Sequence, residues 1–125
     1  MNEKQKHNQS GEDYLESIFL LLQQLDVVHR IDVAKRMNVS GAAVNKAVGL
    51  LIEKGLVYED GKHLYLTAQG EVNAKEIYKK HCTLRDFLRS LGVSEQNAEQ
   101  DACYMEHLIS DETYKAISRA YANKK

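Results

Sequence analysis

Residues 30–67 read RIDVAKRMNVSGAAVNKAVGLLIEKGLVYEDGKHLYLT, and the fold is decided here. Arg30 to Met37 has the spacing of a short helix with Ile31, Ala34 and Met37 turned inward. Asn38-Val39-Ser40 then makes a turn, and Ser40 is placed to cap a further helix over Gly41 to Lys54, with Val44, Val48, Leu51 and Ile52 on its core side. Gly55 ends it, as a glycine past a helix C-terminus does. From Leu56 to Thr67 two β-prone runs flank an Asp60-Gly61 pair, the signal of a hairpin. Helix, turn, helix and hairpin in that order make a winged helix, whose second helix enters the major groove of DNA while the hairpin approaches the backbone.

Outward from this stretch the chain is mainly α-helical. Tyr14, Leu15, Ile18, Phe19, Leu21, Leu22 and Leu25 recur at helical spacing, which predicts a first helix from about Gly11 to Leu25 after a polar, aperiodic and flexible tail over residues 1–10. Beyond the hairpin a long helix is expected from Gln69 to Leu91, with Val72, Ile77, Leu84, Phe87 and Leu88 for packing. Gly92 breaks it, Ser94 caps another over Glu95 to Ile109, and Ser110 caps a last one striped by Tyr114, Ile117 and Tyr121. The expected organisation is a winged helix over 11–72 and an all-helical second domain over 73–125.

Composition narrows the function. The 125 residues are 43% hydrophobic and 28% charged with a net charge of -1, so no overall bias draws the chain to nucleic acid. The distribution is more telling: bases outnumber acids from Arg30 to Lys80, whereas Glu3, Glu12, Asp13, Glu16 and Asp26 make the preceding segment acidic. Two cysteines, no signal peptide and no long apolar run point to a cytoplasmic protein without a disulfide framework or a membrane partner.

Two sets of residues carry chemistry. On the third helix, Ser40, Ala42, Ala43, Asn45 and Lys46 face outward; small residues allow close approach to a groove, and Asn45 and Lys46 can bond base edges or phosphates. Arg30, Lys35 and Lys62 are placed for phosphate contacts, which set register without reading sequence. The second set is Cys103, Glu106 and His107, spaced to share one helix face, with Asp13 and Glu16 at the same i,i+3 spacing and His81 between. Each donor alone has a plainer reading: a surface histidine, helix-terminal carboxylates, a small buried thiol. Together they suit manganese, iron, cobalt, nickel or zinc, with the thiolate favouring the softer ions. A site with six protein donors leaves little room for a substrate, so an enzyme is not expected.

These residues also bring a family resemblance. From Glu12 to about Ser118 the chain resembles the diphtheria-toxin repressor and manganese transport regulator family of metal-dependent transcriptional repressors. Glu12-Asp13-Tyr14-Leu15-Glu16, Val39-Ser40 with Val44, Leu64-Tyr65-Leu66-Thr67 with Gly70, Lys80-His81 with Leu84 and Phe87-Leu88, and Asp101-Ala102-Cys103 with Glu106-His107 and Ser110-Asp111-Glu112 carry it. The resemblance implies a homodimer with an N-terminal winged helix and a helical dimerisation domain, bound to double-stranded operator DNA. A divalent ion acting as co-repressor, Mn2+ or Fe2+, would silence metal-uptake genes, with Zn2+, Co2+ or Ni2+ substituting in vitro. Asp13, Glu16, His81, Glu106 and His107 fall on family ligand positions. Cys103 departs, since manganese-type members carry glutamate there and iron-type members cysteine, while Asp13 stands where iron-type members carry methionine. The length leads us to expect the compact two-domain form, without the small β-barrel appended in larger members. A metal-independent winged-helix regulator and a protein-binding winged helix are the alternatives.

Overall fold

A computed structural model describes the backbone of residues 3–124 and the side chains of residues 11–123. The elements run α1 (Glu3–Gln24), α2 (Arg30–Met37), α3 (Gly41–Glu53), β1 (Val57–Asp60), β2 (His63–Leu66), α4 (Ala68–Ser90), α5 (Glu95–Leu108) and α6 (Asp111–Lys124). They form two compact units, the first closing at Lys75 and the second opening at Glu76.

In the first unit α1 packs on α2, α3 and β2. The core comprises Leu15, Ile18, Val28, Val33, Val44, Val48, Leu51, Val57 and Leu64, all nearly or fully buried. Ser40 caps α3, its hydroxyl accepting from Ala43 N at 3.1 Å. Asn38 closes α2 at φ 55°, a left-handed position that asparagine tolerates better than most residues. The wing is held to the body by Leu64 N, which donates to Val28 O at 2.8 Å.

Four sequence readings are corrected. The first helix begins at Glu3 rather than Gly11, so residues 3–10 of the expected tail are helical, while residues 1 and 2 lie outside the described residues. Glu3, Lys4, Gln5 and Lys6 are good helix formers, a propensity that apolar periodicity does not register. On α2 the buried pair is Val33 and Ala34, and Ile31 is 58% exposed. Residues two apart on a helix point about 200° from each other, so Val33 in the core turns Ile31 out. Ile52 and Val72, also assigned to core faces, are exposed in turn, because Val48 with Leu51 and Ala74 fill those positions. The hairpin turn is displaced by one residue: Asp60 pairs with His63, leaving Gly61-Lys62 as the two-residue turn, with Gly61 at φ 64°.

Gly70 couples the wing to α4. A Cβ built there would lie 1.8 Å from Leu56 O, the same carbonyl that accepts from Thr67 N at 3.1 Å. Thr67 Oγ1 in turn donates to Gly55 O and accepts from Gly70 N, so one hydroxyl caps α4 and ties it to the end of α3. Gly70→Ala is expected to destabilise the first unit by about 3 kcal/mol, because backbone, not a flexible side chain, must yield. Urea denaturation of the two chains checks this.

The second unit consists of the C-terminal part of α4 with α5 and α6. Leu84, Ala98 and Ala102 are fully buried, and the small residues of α5 let helices approach closely. Ser94 caps α5 through Asn97 N. Tyr114, Ile117 and Tyr121 of α6 are half-buried, with Lys80 Nζ 5.5 Å from the Tyr114 ring centre.

Candidate metal centre

The second unit gathers its donors from two helices. His81 comes from α4, and Cys103, Glu106 and His107 come from one face of α5, the three- and four-residue intervals stacking them. One donor atom each from Cys103, Glu106 and His107 lies within 4.8 Å of the others. Glu106 is the hub. Its side chain is fully buried; Oε2 stands 3.1 Å from His81 Nδ1 and Oε1 stands 3.1 Å from His107 Nε2.

Neither oxygen is engaged in a well-formed hydrogen bond, and His81 Nδ1 is in the same condition. Buried carboxylates are otherwise bonded or paired, because leaving them unsatisfied is costly. Atoms close enough to attract but badly angled for a shared proton suit a cation placed among them. The donor set of carboxylate, imidazole and thiol at Glu106, His107 and Cys103, with the His81 imidazole at the other oxygen of Glu106, is that of a divalent transition metal, so the residues fit such an ion.

The electrostatics agree. Glu106 chiefly, and Glu99 less, raise the His81 pKa to about 9 against the opposing effect of burial. Burial pushes the Glu106 carboxyl up, but His107 and His81 together outweigh it and hold the group below the ordinary carboxylate range. The imidazolium form of His81 and the carboxylate form of Glu106 thus favour each other.

Glu99 is a participant that the spacing of the triad did not single out. Its Oε1 is 2.7 Å from His81 Nε2, and its Oε2 is 3.7 Å from Arg85. With Nε2–H donated to Glu99, the His81 ring presents Nδ1 toward Glu106, the arrangement by which an outer carboxylate orients a metal-binding histidine. Glu99 precedes Cys103 and Glu106 by four and seven residues and so shares their helix face, a signal available in the sequence. Glu99→Gln is expected to weaken metal binding about 10- to 100-fold while keeping the fold; calorimetric titration with manganese checks it.

In the first unit, Asp13 and Glu16 lie three residues apart on α1, Asp13 half-buried and Glu16 buried. Of the residues expected to meet DNA, Lys35, Ser40, Ala42, Asn45, Lys46 and Lys62 are exposed and Ala43 is half-buried. Arg30 is also engaged within the unit: its Nε and Nη2 grip both oxygens of Glu59 on β1, and Nη1 donates to Asn45 on α3. That pairing across 29 positions has no local signature in the sequence.

Comparison with known proteins adds the following. Residues 7–64 match the family model described as iron dependent repressor, N-terminal DNA binding domain, and residues 67–124 match iron dependent repressor, metal binding and dimerisation domain. An uncharacterized HTH-type transcriptional regulator of Methanocaldococcus jannaschii is 38% identical over 108 residues, 84% of this chain and 86% of that one. The HTH-type transcriptional regulator MntR of Geobacillus kaustophilus is 35% identical over 111 residues, 88% of this chain and 77% of its own. Among solved structures, the manganese regulator SloR aligns with a TM-score of 0.80 at 28% identity, over 92% of this chain and 54% of that one. A manganese-dependent transcriptional repressor in complex with manganese aligns with a TM-score of 0.81 at 28% identity, over 90% and 52%. This chain thus spans about half the length of these two solved structures.

Proposed function

The chain belongs to the iron-dependent repressor family, that of the diphtheria-toxin repressor and the manganese transport regulator, and we propose that it is a metal-dependent transcriptional repressor of metal-ion homeostasis. It acts in the cytoplasm as a homodimer on double-stranded operator DNA, controls manganese or iron uptake genes, and has no catalytic activity of its own. The observation that carries this reading is the buried Glu106 carboxylate set 3.1 Å from each of two imidazole nitrogens, without hydrogen-bond geometry to either.

His81, Cys103, Glu106 and His107 would hold the ion, and Asp13 and Glu16 of α1 would complete its ligand set. Bound there, a divalent cation supplies positive charge that neutralises a cluster of acids. The protein residues do the remainder. Glu99 orients His81, Glu106 sets a carboxylate oxygen beside each imidazole, and Asp13 with Glu16, as ligands, would bring α1 under the control of the ion. Because α1 packs on α2, α3 and β2, restraining α1 restrains the DNA-reading helix and the wing. A 100-fold change in operator affinity needs about 2.7 kcal/mol of coupling, which a few ligand bonds can furnish.

Cys103 beside Glu106 makes the donor set softer than an all-carboxylate one, which favours iron over manganese relative to a site bearing glutamate there. The deciding measurement is metal content after anaerobic purification, followed by DNA affinity with Mn2+, Fe2+ and no ion. DNA affinity that ignores both ions sinks the repressor reading. Anaerobic handling matters because oxidation of Cys103 would remove a ligand.

A further inference from the structure

An asparagine in the major groove ordinarily reads adenine: its Oδ1 accepts from the N6 amino group while its Nδ2 donates to N7. Asn45, exposed on α3, has its oxygen end already engaged. Arg30 Nη1 donates to Asn45 Oδ1 at 3.0 Å, and a guanidinium has only donors, so the amide must turn its oxygen to Arg30 and its Nδ2 away. The guanidinium is itself fixed. Nε donates to Glu59 Oε2 at 2.8 Å and Nη2 to Glu59 Oε1 at 2.6 Å, a bidentate pair between α2 and β1 that leaves Nη1 one direction in which to point. Both side chains are partly shielded, at 34% and 23% exposure. Three elements of the winged helix thus converge on one amide.

We propose that Arg30 is a positioning residue for sequence readout: by holding Asn45 Oδ1 it presents Asn45 to the major groove as a donor, so that Asn45 selects guanine instead of adenine. Guanine offers O6 and N7, two acceptors side by side, to the two hydrogens of Nδ2. A second lone pair stays on Oδ1, but an adenine amino group approaching it would sit beside the guanidinium, donor against donor. A keto oxygen in that place faces the positive guanidinium and the amide N–H donors. Glu59 acts one step further out by keeping the guanidinium in its plane. The inference rests on the DNA-binding reading given above and adds to it the base that one residue recognises.

The test is selection from a randomised duplex library by the full chain loaded with manganese, or with iron(II) anaerobically, beside Asn45→Ala, Asn45→Asp and Arg30→Met. Asn45→Ala identifies the column that depends on this residue, as the one that loses its preference. In the unaltered chain that column is expected to be a G·C pair favoured about tenfold over A·T. In Arg30→Met, which keeps the stem but removes the donors, the preference moves to adenine. Asn45→Asp, at an exposed position, keeps one oxygen on Arg30 and turns the other outward as an acceptor, so the column reverses from guanine to cytosine; this variant decides the matter if Arg30→Met does not fold. An A·T column in the unaltered chain, or one indifferent to Arg30→Met and Asn45→Asp, overturns the proposal while DNA binding stands. Enrichment of no motif at all overturns both.

Discussion

Glu106→Gln is expected to lower manganese or iron(II) affinity about a thousandfold and to abolish the response of DNA binding to metal. The carboxylate is the side chain that meets His81 on one side and His107 on the other, and it does so fully buried. Glutamine preserves the volume and one oxygen, but it removes the negative charge and puts an amide N–H against an imidazole nitrogen. Removing one partner from a buried charge cluster costs about 3–5 kcal/mol, equivalent to two to four decades in a binding constant. A second consequence separates loss of a ligand from loss of the fold. Since Glu106 is the largest cause of the raised His81 pKa, the His81 titration should fall toward the ordinary imidazole range in Glu106→Gln, while Leu84 and Ala102 stay packed. Calorimetry with each ion, an NMR pH titration of His81 and DNA affinity with and without metal measure the three effects. A variant that binds metal within threefold of the unaltered chain would refute the central place given to this carboxylate.

The winged helix was legible because its signals are local. Ser40 caps α3, Gly55 terminates it at φ 73°, and alternation across Leu64, Tyr65 and Leu66 marks the wing, each visible within a few residues. The same locality explains the α5 face, where Cys103, Glu106 and His107 stack by helical geometry alone. What was not legible depends on tertiary packing. An eight-residue helix offers too few turns for its apolar face to be phased, so Ile31 and Val33 exchanged roles. Arg30 reads as one more exposed base until the fold brings Glu59 of β1 to it. Glu99 shares the helix face of Cys103 and Glu106 in the sequence, but what it bonds is settled only when α4 brings His81 to it. In both cases the omitted residue holds a functional side chain in one orientation, and orientation is a property of contacts between elements.

Metal affinity is expected to rise at least about tenfold per pH unit from about pH 6.5 to 9, the His81 contribution then levelling off. The sign follows from where the proton sits. Glu106 foremost, opposed by burial and aided by Glu99, raises His81 to about 9, so at neutral pH the ring carries a proton on each nitrogen. The Nε2 proton is directed to Glu99 Oε1 at 2.7 Å and can stay there. The Nδ1 proton faces Glu106 and must leave before that nitrogen can act as a ligand, so below about pH 9 each unit of acidity adds a tenfold competitor. Calorimetric titrations at three pH values, each in two buffers of different ionisation enthalpy, should therefore show at least one proton released per ion bound at pH 7.5, His81 giving close to one and Cys103 adding the thiol proton it must lose to act as a ligand. In Glu99→Gln the levelling-off should move to lower pH, because one of the carboxylates holding the imidazolium is gone, whereas a purely structural role for Glu99 would leave it unmoved. An affinity flat between pH 6.5 and 8.5, with no proton released, would mean that His81 is already neutral in the metal-free protein and that the carboxylates around it do not set the conditions under which the ion binds.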